Sequence, residues 1–196
     1  MKPKTTRIAI ILFAVVLPLM AGAQSLTEGA ALLFKNIKST LTTAEKNKLF
    51  IDAGFRLSKD RQQFTAEGDD TGEYPFSAFV APTDLNKDGA EEVFIVYGNT
   101  YTSGAAGSSV IVFIKNPAGK YVKHLDVPGM SPDVLATTGK GYPDLLIGGP
   151  GSEYPVYHWN GNDYAMSRKI ADKDYVVLKK TSLAELSKSY SATIKQ

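Results

Sequence analysis

From Phe55 to about residue 180 the chain is written in short runs of β-branched and aromatic residues, each closed within a few positions by glycine, proline, asparagine or aspartate. That punctuation limits the fold more than any other feature. Runs this short suit strands rather than helices, and turn-like connections join consecutive strands as antiparallel meanders, because a parallel crossover needs about a dozen residues or more. The clearest strands are Glu92 to Tyr97, Ser109 to Lys115, Tyr121 to Leu125, Asp144 to Ile147 and Val156 to Trp159. Helical patterns flank them. Leu26, Ala30, Leu33 and Ile37 recur at helical spacing, and Thr42 followed by Glu45 opens a second segment, carrying Leu49 and Phe50, that Gly54 closes. Ser182 and Glu185 form another capping-box pattern, after which Leu183, Leu186, Tyr190 and Ile194 fall near one helical face. The expected class is α+β: antiparallel, blade-like β-meander sheets with N-terminal helices and a C-terminal helix. The expected parts are a helical segment 24–54, a β-rich domain 55–180 and a terminal helix 181–196.

Residues 1–23 are set apart from this pattern. Lys2, Lys4 and Arg7 precede an apolar run from Ile8 to Met20, and Ala21-Gly22-Ala23 places small residues where a signal peptidase cuts. The run is too short for a hydrocarbon core of about 30 Å, and Pro18 interrupts its end. The segment reads as a signal peptide cleaved before Gln24, giving a secreted or periplasmic protein without stable membrane insertion after cleavage. Its removal takes three positive charges and moves the formal net charge from +2 to about −1. The basic character belongs to the export signal, and no basic stripe remains for nucleic acid. The chain also has no cysteine, which excludes disulfides, thiolate metal sites, a Cys nucleophile and a lipidated Cys anchor.

The sharpest chemical signal is Asp84-Leu-Asn86-Lys-Asp88-Gly89-Ala90-Glu91-Glu92. Oxygen-bearing side chains at positions one, three and five of a tight loop converge on one point, a glycine at six allows the turn, and position seven offers its carbonyl. These are calcium requirements. An EF-hand would close with a glutamate at position twelve, but that position is Ile95, and Glu92 at position nine leads straight into a strand. The candidate ligands are Asp84, Asn86, Asp88 and Glu92 with the carbonyl of Ala90. The alternative is a polar turn in which Asp88-Gly89 makes the hairpin and the carboxylates face water.

A degenerate repeat surrounds this loop. The unit from Asp84 through Val110-Ile-Val-Phe-Ile to Tyr121 is echoed by Gly141-Tyr-Pro-Asp144-Leu-Leu-Ile-Gly-Gly, Pro155-Val-Tyr-His-Trp159 and Asn160 to Tyr164. The acidic loop and the later Gly-Tyr-Pro-Asp-Leu-Leu-Ile-Gly-Gly resemble the FG-GAP or VCBS-type repeats that form blades of integrin-like β-propellers in exported proteins. The resemblance covers Asp84 to Tyr164, about half the chain. It implies calcium held in the acidic loop between two strands of a blade, and a blade surface that binds a protein or carbohydrate in the envelope or outside the cell. The second unit keeps Asp144 at the place of Glu92 but has Ala136, Thr138 and Lys140 where the other ligands would stand, so no metal is expected there. Two or three blades are too few for a closed propeller.

Catalytic patterns are poor. His158 lies inside an alternating strand beside Trp159, Ser152 lacks a nucleophile-elbow context, and neither glycine-rich stretch matches a nucleotide fingerprint. Tyr97, Tyr101, Tyr154, Tyr157 and Trp159 fall near loops and strand ends, where rigid amphipathic rings suit a ligand surface or else cover the core. The expected function is a secreted or periplasmic, non-catalytic binding or structural module with one calcium-stabilised loop. The alternative is a small envelope hydrolase or enzyme-inhibitory protein acting through the loops Gly98 to Ser109 and Gly148 to Tyr154.

Overall fold

The computed structural model describes residues 25–136, 141–151 and 153–195. The expected signal segment with its expected cut before Gln24, and the positions Thr138, Lys140 and Ser152, lie outside the described residues. The described residues begin with α1 (Glu28–Leu33), capped by Thr27, and α2 (Thr43–Asp52), which has the full Thr42–Glu45 capping box. The first helix is shorter than its periodicity suggests. Asn36 takes a left-handed conformation (φ 62°), which turns the chain before Ile37, and Leu26 precedes the helix, partly exposed. Gly54, at φ 73°, ends the helical part as expected.

Among the described residues three antiparallel sheets follow, none of them closed. β1 (Phe55–Leu57) pairs with β2 (Phe64–Ala66) as a short hairpin. β3 (Ala78–Thr83), β4 (Glu92–Tyr97), β5 (Ser109–Lys115) and β6 (Tyr121–Pro128) make a four-stranded meander, with α3 (Thr100–Ser103) and a 3-10 turn between β4 and β5. β7 (Asp133–Leu135), β8 (Leu145–Leu146), β9 (Glu153–Trp159) and β10 (Tyr164–Ala171) make a second meander. After α4 (Asp172–Tyr175), β11 (Lys180–Ser182) adds to the free side of β7 and runs into α5 (Leu183–Thr193). The Ser182–Glu185 capping box opens α5, but the helix ends at Thr193, so Ile194 is its cap rather than part of its face.

Alternation along the first meander explains the packing. Val93 and Ile95 point to one side of β4, where they meet Leu33, Leu49, Phe55, Phe64 and Phe76 from the helices and the hairpin. Phe94 points to the other side, with Val110, Val112 and Ile114, and meets Val134, Leu145, Ile147, Tyr164 and Leu183 from the second sheet and α5. Both faces of β4 and β5 are buried, which is why their sequences are continuous apolar runs. Phe94→Ala at this fully buried centre should cost about 3–5 kcal/mol. A smaller cluster, Leu135, Leu146 and Val156, lies beneath Tyr154, Tyr175 and Leu178. The strand expected over Asp144 to Ile147 is paired only at Leu145–Leu146, while the strand expected from Val156 begins at Glu153.

Candidate metal centre

The acidic loop spans the hairpin connection from β3 to β4, so the ladder beneath it fixes both of its ends. Thr83 pairs with Glu92 in register, which makes Asp84 the first residue beyond the ladder on one side and Glu92 the last within it on the other. Between them the backbone turns sharply. Lys87 and Gly89 both lie in the left-handed region, at φ 60° and 84°, and at Gly89 the glycine removes the strain that a Cβ would bring. Asn86 Oδ1 accepts from Asp88 N (3.1 Å), Asp88 Oδ1 accepts from Ala90 N (2.7 Å), and Asp84 Oδ2 accepts from Gly89 N (3.2 Å). These bonds wind the loop inward.

Carboxylate oxygens of Asp84, Asp88 and Glu92 lie within 4.8 Å of one another. Three of the five expected ligand residues therefore converge through their side chains. Asn86 sits beside them, its amide donating to Asp88 Oδ2 (2.7 Å), and Ala90 is held by its N–H. Glu92 is 1% exposed and accepts from Leu85 N at 2.6 Å. Burial pushes its carboxyl up to about 8, with the charges of Asp84 and Asp88 adding in the same direction against the Leu85 hydrogen bond. Burial likewise raises the Tyr142 hydroxyl beside Glu92 above the usual phenol range. Among the described residues no salt bridge reaches any of the three carboxylates. Three buried side-chain oxygens there have no partner, and two of them, Thr83 Oγ1 and Asp84 Oδ1, stand at this loop. A divalent cation would supply what is missing: a positive charge among three carboxylates, and a partner for an oxygen that has none.

The second sheet handles the corresponding acid differently. Asp144, 5% exposed in its side chain and leading into β8, accepts from His158 Nδ1 at 2.7 Å and pairs with Arg168 Nη2 at 3.0 Å. His158 of β9 and Arg168 of β10 thus engage one oxygen each of that carboxylate, and Ala136 offers no oxygen ligand in its side chain. His158 therefore has a hydrogen-bonding role in the sheet.

Glu91 is a residue whose importance the sequence hid. It is 2% exposed, and its carboxylate accepts from Ser39 Oγ (2.6 Å), Thr40 N (2.8 Å), Thr40 Oγ1 (2.9 Å) and Tyr190 OH (3.2 Å), while its backbone carbonyl accepts from Tyr121 OH (2.8 Å). Glu91 and Glu92 serve opposite sides of the chain: Glu91 ties the N-terminal segment to α5, and Glu92 turns into the acidic loop. The carboxylate's donors come from positions 51, 52 and 99 residues away, so local spacing carries no trace of them.

The expected aromatic surface divides into three places. Tyr97 and Tyr101 line one cleft together with Tyr74. Tyr154 stacks on Tyr175 over the outer cluster, and Tyr157 and Trp159 pack against the inter-sheet core. Gly98 to Ser109 is not an extended loop but is wound into α3 and its 3-10 turn. Comparison with protein-family models, curated proteins and solved structures finds no match, and the resemblance to FG-GAP and VCBS repeats rests on the residues quoted for it.

Proposed function

We propose that the protein is a secreted or periplasmic, non-catalytic binding or structural module whose first sheet is braced by one calcium ion in the loop Asp84 to Glu92. The observation that carries this reading is the convergence of Asp84, Asp88 and the buried Glu92 within 4.8 Å, with no salt bridge to any of them among the described residues. Asn86 and the carbonyl of Ala90 would complete the ligands. The ion's role is structural: it neutralises the hairpin end and holds β3 against β4. The export pattern of residues 1–23 and the resemblance to FG-GAP and VCBS repeats support the same reading. The described helices include none long and apolar enough to cross a membrane.

Calorimetric titration and native mass spectrometry test the site directly. One calcium per chain is expected, lost in Asp88→Ala, with magnesium binding weakly because its octahedral shell suits a flexible carboxylate loop poorly. Failure to retain calcium at millimolar concentrations would remove the reading. A second reading, an envelope hydrolase or inhibitory protein, draws on His158, whose ring is 59% exposed and oriented through Nδ1 by Asp144. Turnover on a panel of ester, peptide and glycan substrates that disappears in His158→Ala would favour it over the first.

A further inference from the structure

The cleft that gathers Tyr74, Tyr97 and Tyr101 lies at the far end of β4 from the acidic loop. Its volume is about 520 Å³, within the range of small-molecule sites, about 300–1,000 Å³. One wall is the segment carrying Asp69, Asp70 and Glu73, and no lysine or arginine is among its lining residues. The other wall is aromatic. The rings of Tyr74 and Tyr101 stack at a centroid distance of 3.5 Å and an interplanar angle of 6°, and Tyr101 remains 63% exposed. Each ring gives one face to the other, which leaves a broad aromatic surface turned to solvent.

This wall is built before any ligand arrives. Asn99 Oδ1 accepts from Tyr101 N (2.9 Å) and Thr102 N (3.0 Å), while its Nδ2 donates to the carbonyls of Tyr74 (3.2 Å) and Pro75 (3.1 Å). A single asparagine therefore joins the two segments that carry the stacked rings. Behind them Tyr97 packs on Phe55 and Phe76 and donates to Asp126 Oδ1. On the acidic wall Asp69 Oδ1 is fixed by Thr71 N, Thr71 Oγ1 and Gly72 N. Two cations stand close by: Arg56 approaches Asp70 only at 3.6 Å, between side chains that are 55% and 91% exposed, so displacing it costs little, and Lys59 lays its side chain against Gly72 without a salt bridge to the wall.

Three carboxylates facing an aromatic surface select charge and shape together. A cation gains from the ring quadrupole and from the carboxylates, whereas a neutral sugar uses only the rings. Carboxylates distributed along residues 69–73 match several positive charges spaced along one flexible chain better than a single compact ion. We propose that this cleft binds a linear aliphatic polyamine of about spermidine's size, its ammonium groups on Asp69, Asp70 and Glu73 and its methylenes against Tyr74 and Tyr101. The proposal rests on the reading of the protein as a binding module and supplies that module's ligand class.

The test uses the full protein in saturating calcium at constant ionic strength, with spermidine as the probe and the ring protons of Tyr74 and Tyr101 followed by NMR. Saturable shifts are expected, tighter for spermidine than for putrescine, about tenfold weaker in Tyr101→Ala and severalfold weaker in Glu73→Gln. Both substitutions are at exposed positions. Four results would each overturn the proposal: no shift, equal shifts from magnesium at the same ionic strength, an acetyl-Gly-Arg-Gly-amide peptide that binds as tightly as spermidine, or a neutral trisaccharide that binds in its place. Asp88→Ala separates this inference from the calcium reading. The variant should lose its calcium-dependent melting and keep its spermidine shifts; spermidine shifts in a wild type whose melting ignores calcium leave the cleft standing and remove the ion, and calcium-dependent melting without spermidine shifts removes the cleft alone.

Discussion

Replacing Glu92 by glutamine should make the metal-free protein more stable while abolishing its response to calcium. The variant removes one of three carboxylates lying within 4.8 Å, and with it two of the three like-charge pairs. At that distance Coulomb's law gives about 1 kcal/mol per pair in water-like surroundings and about 3.5 kcal/mol at an effective dielectric constant near 20. Asp88 is exposed, so the lower figure governs its pair and a middle one governs the pair with the half-buried Asp84. Against this, the bond from Leu85 N, now to a neutral amide oxygen, weakens by about 1 kcal/mol. The net gain is about 1–2 kcal/mol, worth a few degrees in melting temperature for a chain of this length. Thermal unfolding in chelator at pH 9 is the assay, because that pH lies above the value of about 8 to which burial and its neighbours push Glu92. In excess calcium the order should reverse, since only the wild type gains from the ion. A variant less stable than wild type in chelator would show that the three carboxylates do not strain one another, and the reasoning would fall.

Other substitutions separate the ties around this loop. Glu91→Ala leaves four donors without their acceptor and should cost about 3 kcal/mol or more in urea unfolding, against about 1 kcal/mol for Tyr190→Phe; equal costs would mean that α5, not the N-terminal segment, is the main beneficiary. Ser182→Ala breaks the capping box of α5 and should cost about 1 kcal/mol, while an unchanged urea midpoint would show that Leu183 packing alone sets that helix. Asp144→Ala should lower stability by loosening His158 and Arg168 yet leave any calcium-dependent shift in melting temperature intact; loss of that shift would place an ion in the second sheet instead.

Residues that act on near neighbours were legible in the sequence. The two capping boxes are three-residue relationships, and Glu92 to Tyr97 and Ser109 to Lys115 are continuous apolar runs because both of their faces are covered. The acidic loop is local too, since the left-handed turns at Lys87 and Gly89 bring its first, fifth and ninth positions together. What was hidden depends on distant partners or on exposure. β3 contains Pro82, which an edge strand tolerates because no ladder donor is needed there, yet which reads as a break in the sequence. β10 is a sheet edge with exposed residues on both sides, so it shows no alternation. Glu91 looks like any loop acid until segments from both ends of the chain close over it. Aromatic residues at strand ends gave no hint of which sheet end they would share, and so Tyr97 and Tyr101 join Tyr74 while Tyr154 faces elsewhere.

The most direct test of the calcium-braced hairpin is a pair of melting curves, in excess calcium and in chelator, for wild type and Asp88→Ala. Calcium at about a hundred times its dissociation constant contributes about 2.7 kcal/mol, which for a chain of this length raises the melting temperature by roughly 5–11 °C. Wild type should show that rise and lose it in chelator, and Asp88→Ala should show none. Superposed curves for wild type in the two conditions would contradict the account and return Asp84 to Glu92 to the status of a polar turn.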